Sequence, residues 1–180
     1  MRKLVLYSLV SLDGVGESPD EYVFEFDETM HTNLGEVIRS QDTVLLGRVQ
    51  YDEWASYWPT SDMQPFADFI NNVPKYVFTS AQPAADWTGT TIVTTDAVDF
   101  VGELKEHPGG EIGLHGSLSL SRSLLAANLV DQIRLVVFPT LAGRGRKLFD
   151  DDATVRKLKL QRAEPTPSGG LLLDYEFSRP

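Results

Sequence analysis

Residues 43–48, Thr43-Val44-Leu45-Leu46-Gly47-Arg48, run four apolar or β-branched positions into a glycine and an arginine. A run this short that stops at glycine reads as a buried strand leading into a sharp turn. Just upstream, Met30, Leu34, Val37 and Ile38 fall at i, i+4, i+7 and i+8, one face of a helix. Further upstream, Leu4-Val5-Leu6-Tyr7-Ser8-Leu9-Val10 is a second strand-length run. Strand, helix and strand at this spacing predict parallel strands joined by a crossover helix.

The pattern continues downstream. Residues 76–79, 91–94, 112–114 and 133–138 are further apolar runs of strand length. Val98, Val101 and Leu104 form a helical face behind Asp96, a good N-cap, and that helix stops at His107-Pro108-Gly109-Gly110. Leu118, Leu124, Leu125 and Leu129 mark another helix, opened by serines. The end differs. Residues 155–163 and 171–177 leave room between them only for the turn Pro165-Thr166-Pro167-Ser168-Gly169-Gly170, which predicts an antiparallel hairpin at one sheet edge. The expected fold is α/β: three layers, a mostly parallel sheet with helices on its faces, and a C-terminal antiparallel hairpin.

With 42% hydrophobic residues and no long Pro/Gly/Ser-rich linker, residues 1–180 fit one domain. The chain has no cysteine, which excludes disulfides, thiolate metal sites and a cysteine nucleophile, and fits a reducing compartment. Met1-Arg2-Lys3 precedes the first apolar run, but that run is short and lacks a small-residue cleavage site, so it reads as a strand rather than a signal peptide. No stretch approaches the roughly 18–20 apolar residues that cross a bilayer. A soluble, cytoplasmic protein is expected. The net charge of −10 argues against nucleic acid or an anionic membrane as partner, so an anionic ligand needs a local cluster of donors.

Three loops follow the carboxyl ends of predicted strands, where open α/β sheets bind ligands. At Gly47-Arg48 the glycine permits a sharp turn and the arginine can form a fork onto phosphate, or open a helix in solvent. Thr79-Ser80 offers two hydroxyls to phosphate oxygens, or simply a turn. Gly116-Ser117-Leu118-Ser119 enters a helix whose free first-turn N–H groups and positive dipole suit an anion, with the serines as ligands or as caps. This is not the G-x-G-x-x-G fingerprint. Three scattered histidines at no ligand spacing predict no metal site, and no G-x-S-x-G elbow supports a hydrolase. His115, at a strand end, reads as structural. Tyr51, Trp54, Tyr57 and Trp58 form an aromatic cluster after Arg48, serving the core or, at Tyr51, the mouth of a substrate site. Asp150-Asp151-Asp152 reads as a solvated turn, and Arg144, Arg146 and Lys147 either offset it or meet an anionic substrate.

Taken in order, these loops resemble the dihydrofolate-reductase-like superfamily, in the branch of the reductase (RibD C-terminal) domain of bacterial riboflavin biosynthesis and its relatives. Ser11-Leu12-Asp13-Gly14 is similar to the loop after that branch's first strand, and Thr43–Arg48 to its second strand and Gly-Arg turn. Val130-Asp131-Gln132-Ile133 and Phe138-Pro139-Thr140-Leu141-Ala142-Gly143 resemble its late strand and Pro-x-x-x-Gly loop. The resemblance covers nearly the whole chain. It implies a dihydrofolate-reductase-like sandwich, NADPH as cofactor, a small-molecule substrate and a homodimer. It also implies Arg48 and Ser80 at the adenosine 2′-phosphate end, Gly47 and Thr79 among the cofactor-binding residues, and Gly116, Ser117, Leu118 and Ser119 at the pyrophosphate. Ser11 and Asp13 then face the substrate, although Asp13-Gly14 is also a turn-forming pair.

Three positions depart from the pattern, the first being the paired glycines after the fifth strand, which here become Gly116-Ser117. Where folate reductases hold an acidic residue in the first helix, the aligned position is His31, with Asp27 and Glu28 one turn earlier. A histidine there is an acid of near-neutral pKa or a surface residue of an amphipathic helix. Where the riboflavin-pathway enzymes hold a substrate-binding glutamate, the chain has Leu114. The expected function is hydride transfer from NADPH to a small heterocyclic or carbonyl-type substrate. The alternatives are 5-amino-6-(5-phosphoribosylamino)uracil reduction and nucleotide binding without catalysis.

Overall fold

The computed structural model describes residues 1–149 and 155–178; the Asp150-Asp151-Asp152 turn expected from sequence lies outside them. In chain order the elements are β1 (Leu4–Ser11), α1 (Glu28–Arg39), β2 (Gln41–Gly47), α2 (Arg48–Tyr57), α3 (Phe66–Asn72), β3 (Lys75–Phe78) and β4 (Thr90–Val93). Then follow α4 (Ala97–Glu106), β5 (Glu111–His115), α5 (Leu118–Ala126), β6 (Gln132–Phe138), β7 (Leu158–Pro165) and β8 (Leu171–Phe177). The strands form one sheet in the order β4-β3-β2-β5-β1-β6-β8-β7. Every pair from β4 to β6 is parallel, and the β8–β7 hairpin adds antiparallel to β6.

The alternation of side chains along β1 and β2 makes the three layers. Leu4, Leu6 and Val10 of β1 and Leu45 of β2 pack with Val101 of α4 and Leu118, Leu120, Leu124 and Leu125 of α5. On the opposite face Val44 and Leu46 meet Ile38 of α1, Tyr51 and Ala55 of α2, and Phe66 and Ile70 of α3. Tyr7 turns with them toward Met30 and Val37 of α1. Asp96 caps α4 as its sequence suggests, accepting from the Val98 and Asp99 N–H groups. The helices α2 and α3 are not marked by leucine periodicity: α2 buries only Tyr51 and Ala55, and α3 is seven residues long.

Asp131, part of the late-strand motif, serves the opposite sheet edge from the loops described above. Its Oδ2 accepts from Lys105 Nζ at 2.6 Å and from the Leu4 N–H at 2.7 Å, tying the amino end of β1 to α4. Both side chains are buried, so the pair holds a register rather than a surface charge.

Candidate functional site

Parallel pairing sets the carboxyl ends of neighbouring strands on one edge. Gly47 pairs with Phe78 across β2 and β3, Leu45 with Leu114 across β2 and β5, and Tyr7 with His115 across β1 and β5. The turns beginning at Gly47, Thr79 and Gly116 therefore lie on the same edge, those after β2 and β5 on directly neighbouring strands.

The turns after β5 and β2 are bonded to each other. Ser117 is buried, and its Oγ accepts the Gly47 N–H at 2.9 Å while donating to Gln50 Oε1. The Gln50 amide nitrogen in turn donates to the carbonyl of His115. Gly116 lies between these anchors at φ +73°, a left-handed conformation that favours glycine. Apart from its chain neighbours, a Cβ there would meet only Gln50 Nε2, at a crowded 3.3 Å.

Two helices start beside this bridge without side-chain caps. Gly47 opens α2 and Ser117 opens α5, and neither caps the first turn through a side chain. The bond from the Ser121 N–H to the Ser117 carbonyl, at 2.8 Å, closes the first turn of α5. The N–H groups of residues 118–120 precede it, pointing out of the helix. Leu118 is buried in the core and Ser119 exposed, so this loop presents backbone donors and one hydroxyl to an anion.

Arg48 stands at the head of α2, with Nε 3.1 Å from Asp52 Oδ2. Asp52 Oδ1 accepts the Ala84 N–H at 3.0 Å, which brings the loop after β3 alongside Arg48. Ser80 in that loop is exposed. Thr79 takes the turn role: its hydroxyl both donates to the Ala81 carbonyl and accepts from the Ala81 N–H.

The residues expected at the substrate have partners within the chain. Ser11 is buried, with Oγ donating to Asp13 at 2.6 Å and accepting the Val15 N–H at 3.0 Å, so it closes a turn. Tyr51 is also buried, its hydroxyl donating to the Ala85 carbonyl at 2.9 Å, in the core between α2 and Trp87. The Asp13 carboxylate accepts from the Ala142 and Gly143 N–H groups at 3.0 and 2.8 Å. Those bonds and Ser11 foremost hold it down at about 2, and it clamps the loop after β6. His31, half-buried in the first turn of α1, meets Phe26 edge-on with ring centres 4.8 Å apart. Asp27 is the α1 cap, accepting from Met30 and from both the N–H and Oγ of Ser168. Leu114 is fully buried against α4 and α5, turned away from any polar ligand at this edge.

His115 is structural, as its position suggested. Its ring lies among Tyr7, Phe66 and Phe69, and Nε2 sits 2.7 Å from Gln41 Oε1. Burial pushes it down to about 3, so it is neutral at physiological pH. Sequence reasoning missed Gln50 and Asp52. Both fall in the first turns of α2, and the signal for them was their polarity on a helix entering directly from a ligand-type turn.

A cavity of about 540 Å³ lies between the β1–α1 loop and the loop after β6, lined in part by Glu17, Glu21, Tyr22, Phe24 and Arg144. Among the described residues no helix is long and apolar enough to cross a membrane.

The chain is 27% identical over 181 residues to the uncharacterized protein YyaP of Bacillus subtilis strain 168, covering 98% of this chain and 96% of that one. Its fold is similar to a putative riboflavin biosynthesis protein from Shewanella sp. PV-4, with a TM-score of 0.79 at 18% identity over 98% and 99% of the two chains. It is also similar to the dihydrofolate reductase of Enterococcus faecalis complexed with NADP(H), with a TM-score of 0.67 at 12% identity over 98% and 97%. Residues 2–172 match the family of the RibD C-terminal domain, and with that span of the sequence covered the chain belongs to it.

Proposed function

We propose that the protein is an NADPH-dependent reductase, acting on a small heterocyclic or carbonyl-type substrate. The observation that carries this is the Ser117 bridge, which sets two uncapped helix starts and the left-handed Gly116 turn on one sheet edge, with Arg48 at the head of α2. A dinucleotide fits such an edge. Residues 117–120 and the Arg48 turn would take its phosphates, with Arg48 and Ser80 at the 2′-phosphate end. When bound, the cofactor supplies the hydride; the protein supplies its orientation and the surrounding electrostatics. Membership in the RibD C-terminal family and the NADP(H) complex of the similar reductase fold support the same cofactor.

Calorimetric titration tests this. NADPH is expected to bind at least about tenfold more tightly than NADH, a difference of about 1.4 kcal/mol. Arg48→Ala should remove that preference. Gly116→Val should abolish binding of both nucleotides, because a β-branched residue is strained at φ +73° and its side chain fills the approach to the loop. Equal affinity for NADPH and NADH in the unaltered protein would remove Arg48 and Ser80 from the site, and a folded Gly116→Val protein with unchanged affinity would place the cofactor elsewhere. NADPH binding with no oxidation across a panel of pyrimidines, pterins and small carbonyl compounds would favour a nucleotide-binding protein without catalysis.

A further inference from the structure

The loop after β6 carries Arg146 to the head of α5. Its guanidinium Nη1 lies 3.5 Å from Ser119 Oγ, in the helix's first turn. That placement is built rather than incidental. The Gly16 N–H donates to the Arg146 carbonyl at 3.1 Å, the Leu148 N–H to the Gly14 carbonyl at 3.0 Å, and Val15 bridges Lys147. Gly145, at φ +98°, lets the loop pass so close that a Cβ there would stand 2.8 Å from Val15 Cγ1. Glu17 occupies the same guanidinium: one carboxylate oxygen accepts from Nε at 2.8 Å, the other from the Arg146 N–H at 2.9 Å. Both side chains remain about half or a third exposed, so water and solutes reach the pair.

We propose that Arg146 is an anion-binding residue of the cofactor site, and that Glu17 holds the place that a cofactor phosphate takes on that guanidinium. The inference rests on the NADPH reading above. An arginine's planar fork pairs with phosphate as it does with carboxylate, so exchanging one for the other keeps the charge balance. The phosphate would gain the first-turn N–H groups of α5 in addition, which Glu17 does not use. In a chain of net charge −10, a guanidinium at this position also offsets the repulsion that an incoming dinucleotide meets.

The test is calorimetric titration of NADPH and NADH into the unaltered protein, Arg146→Gln, Arg146→Lys and Glu17→Gln, with thermal melting to confirm folding. Arg146→Gln is expected to weaken both nucleotides about tenfold or more while keeping their ratio, because the contact is to the phosphates they share. Arg146→Lys should recover part of the loss. Glu17→Gln should tighten both about threefold or more, a gain that loss of a merely structural ion pair would not produce. Unchanged affinity in folded Arg146→Gln overturns the inference while leaving the cofactor reading standing. So does a loss confined to NADPH, which would move Arg146 to the 2′-phosphate. Unchanged or weaker binding in Glu17→Gln overturns the exchange with Glu17. Failure of the unaltered protein to bind either nucleotide removes the cofactor reading itself, and this inference with it.

Discussion

Ser117 Oγ accepts the Gly47 N–H at 2.9 Å, so a side chain from the turn after β5 fixes the backbone of the turn after β2. The same oxygen donates to Gln50, and the site depends on a hydroxyl as well as on backbone donors. In Ser117→Ala the Gly47 N–H and the Gln50 amide lose this partner at a position that is 6% exposed. Stability should fall by about 1–3 kcal/mol, the usual cost of leaving buried polar groups unpaired. NADPH affinity should fall with it, about three- to tenfold, because the two helix starts no longer share an anchor. Ser117→Thr retains the hydroxyl and should recover most of both losses. If Ser117 acted only through its N–H, alanine would be silent in both measurements. Chemical denaturation and calorimetric titration of the three proteins decide between these outcomes.

The sheet was legible because its strands are apolar runs and its helices carry aliphatic residues at helical spacing. Strand order was not, since β5 inserts between β1 and β2 only in three dimensions. The glycines and serines at the carboxyl ends of β2 and β5 were visible as turn chemistry after strands. What each side chain does there was not visible, for a physical reason. Asp13 and Ser11 sit in a motif that suits substrate contact, yet their partners are Ala142, Gly143 and Val15, the first two about 130 residues along the chain. A carboxylate that clamps backbone N–H groups and one that faces a substrate look identical in sequence. Tyr51 is similar: an aromatic beside a site is core or lining according to which way α2 rotates, and its hydroxyl donates to the Ala85 carbonyl.

The Asp13 clamp makes a separate prediction. Its two oxygens hold the Ala142 and Gly143 N–H groups, and the same loop delivers Arg146 a few residues later. Asp13→Ala should therefore speed amide hydrogen exchange through residues 140–148 by at least about tenfold, while the β1–β5 amides stay protected. With the carboxyl held down at about 2, the clamp's contribution is complete above the ordinary carboxyl value near 4 and fades only as pH falls from there toward 2. Exchange through this loop in the unaltered protein should accordingly show no clamp-related loosening between pH 7 and pH 5. Exchange in Asp13→Ala matching the unaltered protein would show that the loop is held by other contacts.

His115 sets the response of the whole fold to mild acid. Buried among Tyr7, Phe66 and Phe69, its imidazole is pushed down to about 3 from an ordinary value of 6.5. The unfolded chain therefore takes up a proton between those values that the folded protein refuses. Stability from this group is fully present above pH 6.5 and is lost as pH falls toward 3. Between pH 7 and pH 5 the loss should amount to about 2 kcal/mol, as each pH unit well inside the window is worth about 1.4 kcal/mol. Asp13 and Asp27, both held below the ordinary carboxyl range, contribute their own losses only below about pH 4. Asp174, raised by burial, works in the opposite direction as acid is added, so the comparison must be made within one background. The measurement is urea denaturation at pH 7, 6 and 5 for the unaltered protein and for His115→Gln. Glutamine keeps an amide in reach of Gln41 and does not titrate. The variant should be less stable at pH 7 but lose about 2 kcal/mol less on going to pH 5. Parallel pH profiles for the two proteins would mean that His115 accepts its proton without unfolding, through water reaching the Gln41 side of the ring.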